Sequence, residues 1–221
     1  MRVALLGGTG DIGEGLALRM GRDTDHAVVI GSREAERGRE AADEYNDTLA
    51  SPGAEGAIGG GANPEAAARA DVVVLAVPAY HLADTVDAVA DSLGEAVLVS
   101  PAVGMQRDES GLHYNPPGAG SVTALATQVA PDGVPVVGAF HNLAAGRLSD
   151  LEAELGWDVP IVGDDDDAKE SVMGLADDVT GLRALDAGGL DNATEIESLT
   201  PLLINIAANN GGLHDLGVSF H

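Results

Sequence analysis

Apolar and polar positions along the chain switch between two periods, and each switch marks an element. Val3–Gly7 is a short apolar run that reads as a strand, and Gly13–Met20 follows as a helix with Ile12, Leu16 and Met20 on one face. Val28–Gly31 is a second strand, ahead of a charged helix from about Arg33 to Tyr45. Ser51–Ala62 holds five glycines among twelve residues and reads as a surface loop, and Pro64–Ala70 as a short helix. Asp71–Pro78 is an unbroken apolar run between its ends, as expected of a central parallel strand buried on both faces. Leu82–Leu93 is helical, Ala96–Ser100 is the next strand, and Arg107–Gly120 reads as a loop before the helix Ser121–Val129. Val134–Phe140, Val159–Val162 and Leu182–Leu185 are further strands, with the helix Asp167–Val179 between the last two. A final helix runs from Glu195 to Asn209, where Pro201 should kink or restart it. Strands alternating with helices predict an α/β fold with a doubly wound, mainly parallel sheet and a small C-terminal extension.

Composition narrows the function classes. Of 221 residues 45% are hydrophobic but only 3% aromatic, so a sizeable core must be built from Ala, Val, Leu and Ile. Asp and Glu number 36 against 11 Lys and Arg, a formal net charge of −25. That field repels a nucleic acid or an anionic membrane. No cysteine is present, which excludes disulfides, thiolate nucleophiles and Cys-ligated metals. No apolar stretch is long enough to span a bilayer, and the opening residues read as a first strand and not a signal peptide, so a cytoplasmic location is expected. Lys169 is the single lysine, and the carboxylates are spread over nearly every element, a pattern that points to adaptation to molar salt. The run Asp164–Asp167 reads as a helix cap and no metal site is expected there; the six histidines show no zinc spacing.

Gly8-Thr9-Gly10-Asp11-Ile12-Gly13 fits G-x-G-x-x-G, follows a strand and opens an apolar-periodic helix, so a Rossmann-type dinucleotide site is predicted. Gly8 is expected to allow the turn, Gly10 the approach of a pyrophosphate, and Gly13 close helix–strand packing. Free N–H groups at the helix start would face the phosphates. The second strand ends in Gly31-Ser32-Arg33, with Arg37 one turn further, where an NAD site usually carries an acidic residue. A hydroxyl and two guanidiniums suit a 2′-phosphate, so the cofactor expected is NADP.

Four blocks together carry a family resemblance: Met1–Gly10, Gly31-Ser32-Arg33, Trp157-Asp158-Val159-Pro160 and Ser198–Ile206. They resemble the archaeal F420-dependent NADP oxidoreductases, and the charge pattern suggests a haloarchaeal member. The resemblance implies reversible hydride transfer between reduced coenzyme F420, a deazaflavin, and NADP+, in a homodimer or homotetramer. By position it implies that Thr9, Gly10, Asp11 and Ile12 hold the pyrophosphate and Ser32, Arg33 and Arg37 the 2′-phosphate, while Ala79, His81 and Ala145 touch cofactor. The deazaflavin side would be Ser100, Pro101, Ala102, Val103, His141, Leu143, Leu216 and Gly217. His141 is the catalytic candidate, donating to a ring carbonyl and stabilising charge that develops on the ring. Ala79 and Ala144 stand where some relatives carry tryptophan and proline. Hydride transfer needs two rings held close and dry, and an apolar slot of Ala102, Val103, Ala139, Leu143, Ala144 and Ala145 would suit them. Residues 1–140 are expected to form the NADP-binding Rossmann domain. Residues 141–221 would complete the deazaflavin site and the subunit contact within one compact unit. The alternatives are an NADP-dependent imine reductase like pyrroline-carboxylate reductase, and a non-catalytic NADP-binding sensor module.

Overall fold

In the computed structural model, which describes residues 1–50 and 58–221, strand and helix alternate from the first residues. β1 (Arg2–Leu6) leads to α1 (Asp11–Asp23), β2 (Ala27–Ser32) to α2 (Ala35–Leu49), and β3 (Ile58–Ala62) to α3 (Asn63–Ala67). β4 (Val72–Leu75) is followed by a 3₁₀ turn at Ala79–His81 and by α4 (Leu82–Val89). Next come β5 (Val97–Ser100), a hairpin of β6 (Met105–Asp108) and β7 (Gly111–Tyr114), and α5 (Val122–Val129). β8 (Val136–Gly138), α6 (Ala145–Ser149), β9 (Trp157–Gly163), α7 (Asp166–Asp177), β10 (Leu182–Asp186), α8 (Ala193–Glu197) and α9 (Leu199–Asn209) complete the order.

Eight strands form one sheet in the order β10-β9-β8-β5-β4-β1-β2-β3. Side chains alternate across it with period two. Val3, Leu5, Val72, Val74 and Val99 enter the layer under α1, α2 and α7, with Leu16, Met20 and Val172. Ala4, Leu6, Val73, Leu75 and Leu98 enter the opposite layer, with Leu82 and Val86 of α4 and Ala126 of α5. Burial on both faces is why β4 reads as a continuous apolar run. From β1 the chain winds outward to β2 and β3, then returns through β4 on the other side of β1. The carboxyl ends of β1 and β4 therefore flank the crevice where ligands bind in such sheets.

Four features depart from the sequence expectation. Ile58–Ala62 is a strand and not a loop, paired with β2, while 51–57 of the same expected loop lie outside the described residues. Its glycines serve close packing: a Cβ on Gly60 would fall 2.0 Å from the Gly38 carbonyl oxygen of α2. Within the expected loop Arg107–Gly120, β6 and β7 pair instead, and Asn205 of α9 holds the hairpin by bonds to both the N–H (3.0 Å) and the C=O (2.6 Å) of Leu112. β8 and β9 are antiparallel, and the missing N–H of Pro160 falls on the edge of β9 away from β10. Finally, the last helix breaks at Ser198, leaving Pro201 in the first turn of α9, where no intrahelical donor is needed. Asp165 caps α7, accepting from the Ala168 N–H at 2.8 Å. Among the described residues no helix is long and apolar enough to cross a membrane.

Candidate cofactor site

The glycine loop joins β1 to α1 at the crevice. The residue in the left-handed region is Gly7, at φ +75°, so the turn depends on Gly7 and not on Gly8 as the motif suggests. Gly13 packs where a Cβ would lie 2.4 Å from Gly8 Cα, which lets α1 start directly under the loop. Above Gly10 the space is open apart from one carbonyl oxygen 3.6 Å away, room for an anion to approach the backbone. Tyr45 of α2 braces the loop by donating to the Gly8 carbonyl at 3.0 Å, and burial pushes its phenol up to about 12.

A groove of about 480 Å³ runs from this loop over the end of β2. Thr9, Gly10, Ser32, Arg33, Arg37 and His81 all line it. Ser32 is buried at the strand end, whereas Arg33 and Arg37 are exposed and form no ion pair with any described carboxylate. Glu34 and Asp84 line the same groove, so the two guanidiniums are its cationic groups among two carboxylates, and both stay open to an anion. Sequence reasoning missed Asn63 at the start of α3. It is 6% exposed, lines the groove, and its Oδ1 has no partner.

At Gly10 the groove meets a slot of about 570 Å³. Gly10, Asp11 and Ile12 form one wall, Ala79 and Pro101–Val103 follow β4 and β5, and His141, Leu143 and Ala145 close the far side. The floor turns at Phe140, a fully buried residue with φ +66°, an unusual conformation for a bulky side chain and one concentrated at functional sites. His141 is 3% exposed, its Nε2 lies 3.3 Å from Thr123 Oγ1, and desolvation pushes its pKa down to about 3. The ring is therefore neutral at physiological pH.

Some expected positions lie elsewhere. Ser100 is fully buried beneath the slot with an unpartnered Oγ, and Ala139 is in the core. Ala144 and Leu216 line a second cavity of about 400 Å³ that shares Leu143, Ala145 and Thr200 with the slot. Gly217 packs on Trp157, where an added Cβ would fall 2.1 Å from the indole nitrogen. Two buried groups that the sequence did not reveal hold the walls. Arg19 of α1 is 2% exposed and donates to the carbonyls of Arg147, Leu148, Asp150 and Ala153 at the end of α6. Glu197 is fully buried and caps α5, accepting from the Val122 and Thr123 N–H groups at 3.0 and 2.9 Å.

The buried polar atoms left without a partner, among the described residues, are Asn63 Oδ1, Ser100 Oγ, His141 Nδ1 and Asn142 Oδ1. Asn63 lines the groove, His141 the slot and Asn142 the second cavity. Orphaned groups gathered at one end of a sheet mark a place built for a polar ligand. Acceptors for hydroxyls and amides beside free guanidiniums and backbone donors match a phosphorylated dinucleotide.

Residues 2–104 match the family model for coenzyme F420-dependent NADP oxidoreductases. The F420-dependent NADP reductase of Methanocaldococcus jannaschii is 36% identical over 209 residues, covering 93% of this chain and 92% of its own. That of Methanothermobacter thermautotrophicus is 37% identical over 213 residues, covering 95% and 90%. The chain belongs to the F420-dependent NADP reductase family. A solved structure from Arthrobacter sp. FB24 shares the fold at TM-score 0.76 and 23% identity, over 94% of both chains. A pyrroline-5-carboxylate reductase from Coxiella burnetii shares it at TM-score 0.61 and 18% identity, over 97% of this chain but 72% of that one.

Proposed function

We propose that this family member transfers a hydride reversibly between reduced coenzyme F420 and NADP+. The observation that carries this reading is the continuity of the groove with the slot through Gly10, Ala76, Val77 and Pro78. A dinucleotide whose 2′-phosphate sits at Ser32, Arg33 and Arg37 can cross the start of α1 and reach the slot. When bound, the two cofactors supply the redox chemistry themselves, a hydride donor on the deazaflavin and an acceptor on the nicotinamide.

What remains for the protein is positioning. The first N–H groups of α1 and its positive end meet the pyrophosphate. Thr9, Asp11 and Ile12 shape that turn, and Asn63 offers an acceptor to the adenosine half. His81 and Ala79 pass the chain along the groove into the slot. Pro101, Leu143 and Ala145 present small apolar surfaces that hold ring faces together and exclude water. Leu216 is the part of the C-terminal tail at the adjoining cavity, Gly217 seats the tail on Trp157, and buried Ser100 precedes the slot residue Pro101. Segment 1–140 supplies the NADP groove and 141–221 the far wall.

A second copy of the chain is the partner we propose, as a homodimer or homotetramer in the cytoplasm of a salt-adapted cell. Ser198–Leu213 carries no charged residue, and Leu202, Ile204 and Ile206 of α9 are exposed. Like-charged copies can meet across such a surface. The reaction is tested by mixing the protein with NADPH and oxidised F420. The deazaflavin absorbance should bleach, with NADH a far poorer donor; equal use of the two would remove the role given to Ser32, Arg33 and Arg37.

A further inference from the structure

Glu197 is a fully buried carboxylate with no described cation beside it. Four donors hold it: the Val122 N–H, the Thr123 N–H, the Thr123 hydroxyl at 3.0 Å and the Tyr114 hydroxyl at 2.9 Å. A buried carboxylate is the strongest acceptor within reach of Thr123, so the single hydroxyl proton goes to Glu197. The Thr123 oxygen then has only lone pairs to offer its other neighbour, His141 Nε2 at 3.3 Å. An imidazole nitrogen facing an acceptor must carry the proton. His141 Nδ1 is left bare, and it is the ring atom without a partner.

We infer that Glu197, acting through Thr123, fixes His141 as the neutral Nε2–H tautomer, so that a ring bound in the slot finds no free donor at this residue. This rests on the hydride-transfer reading for the ring's presence, but the tautomer is a property of the protein alone. On this inference the donor role expected for His141 is not available, because its one ring proton is engaged by Thr123. Thr123 and Glu197 are positioning residues, and His141 also carries the Thr200 hydroxyl on its backbone carbonyl at 2.6 Å, tying α9 to the same unit.

The test is long-range ¹H–¹⁵N correlation on histidine-labelled protein without cofactor at pH 7, with His141 assigned by loss of its signals in His141→Gln. The expected spectrum shows a protonated, pyrrole-type Nε2 and a bare, pyridine-type Nδ1. Thr123→Val, which keeps shape and loses the hydroxyl, should abolish that preference, and Thr123→Ser should restore it. A wild-type spectrum with the proton on Nδ1, or an unchanged tautomer in Thr123→Val, overturns the inference. Should Thr123→Val not fold, the wild-type and Thr123→Ser spectra still decide. Because no cofactor is added, failure here is distinct from failure of F420 reduction.

Discussion

Arg33 and Arg37 stand unpaired beside the groove in a chain where carboxylates outnumber cations by more than three to one. Both are open to an anion that enters the groove. Arg33→Ala removes a charged hydrogen bond worth about 1.5–3 kcal/mol, so the KM for NADP should rise roughly ten- to hundredfold with kcat at saturation little changed. Steady-state kinetics with NADPH varied at saturating F420 measures this. His141 bears on acid stability. Its pKa falls from 6.5 to about 3 on folding because burial disfavours the charged ring. The unfolded chain then binds more protons between those values, so stability is full above about pH 6.5 and drains as pH drops toward 3. His141→Gln should flatten urea-denaturation stability across that window. Ser32 and Arg33 were legible because a strand end fixes where they lie. Asn63 and Glu197 were not: Glu197 meets Thr123 from 74 residues away, and such a contact leaves no periodic trace.

At the scale of elements, α1 and α6 carry opposite walls of the slot, Gly10–Ile12 and Ala145, and Arg19 fixes their separation. The guanidinium satisfies carbonyls at and just beyond the C-terminus of five-residue α6, and their dipoles compensate its charge. Arg19→Met should lower stability by about 3 kcal/mol, measured by urea denaturation, because buried carbonyls lose their donor. The tail is held by a different clasp. Arg183 donates both Nε and Nη2 to Asp158, at 2.7 and 2.6 Å, and the Phe220 N–H adds a bond, which together hold the Asp158 carboxyl below its usual range. Its contribution is present above the ordinary carboxylate pKa and is lost as pH falls through the depressed value. Asp158→Asn should therefore speed hydrogen exchange at Phe220 at neutral pH. β4 and the glycine loop announced themselves through burial and motif. β3 and the hairpin did not, because glycine in Gly59–Gly61 signals a loop unless the close approach of α2 is known, and Met105–Asp108 is wholly exposed.

For the whole molecule, −25 on a 22.2 kDa body governs folding, association and ligand access together. At about 0.1 M salt the Debye length of about 10 Å lets neighbouring carboxylates repel, and at about 1 M it shrinks to about 3 Å. Thermal midpoint and self-association through α9 should both rise with KCl, most steeply at low concentration. The KM values for NADP and F420, both anionic, should fall over the same series. A midpoint that is flat or falling would remove salt adaptation as the reason for the acidity. The charge count was fully legible in the sequence, whereas the apolar face of α9 became visible only once the helix was seen to have no cover. Direct transfer requires that one slot hold both rings close together. NADPH deuterated at both C4 positions, mixed with oxidised F420 and this protein in ordinary water, tests it. Mass spectrometry of the reduced F420 should find one deuterium, carried over without dilution by solvent. Reduced F420 holding only protium, or no reduction by protein that binds NADPH, would rule out direct hydride transfer in the slot.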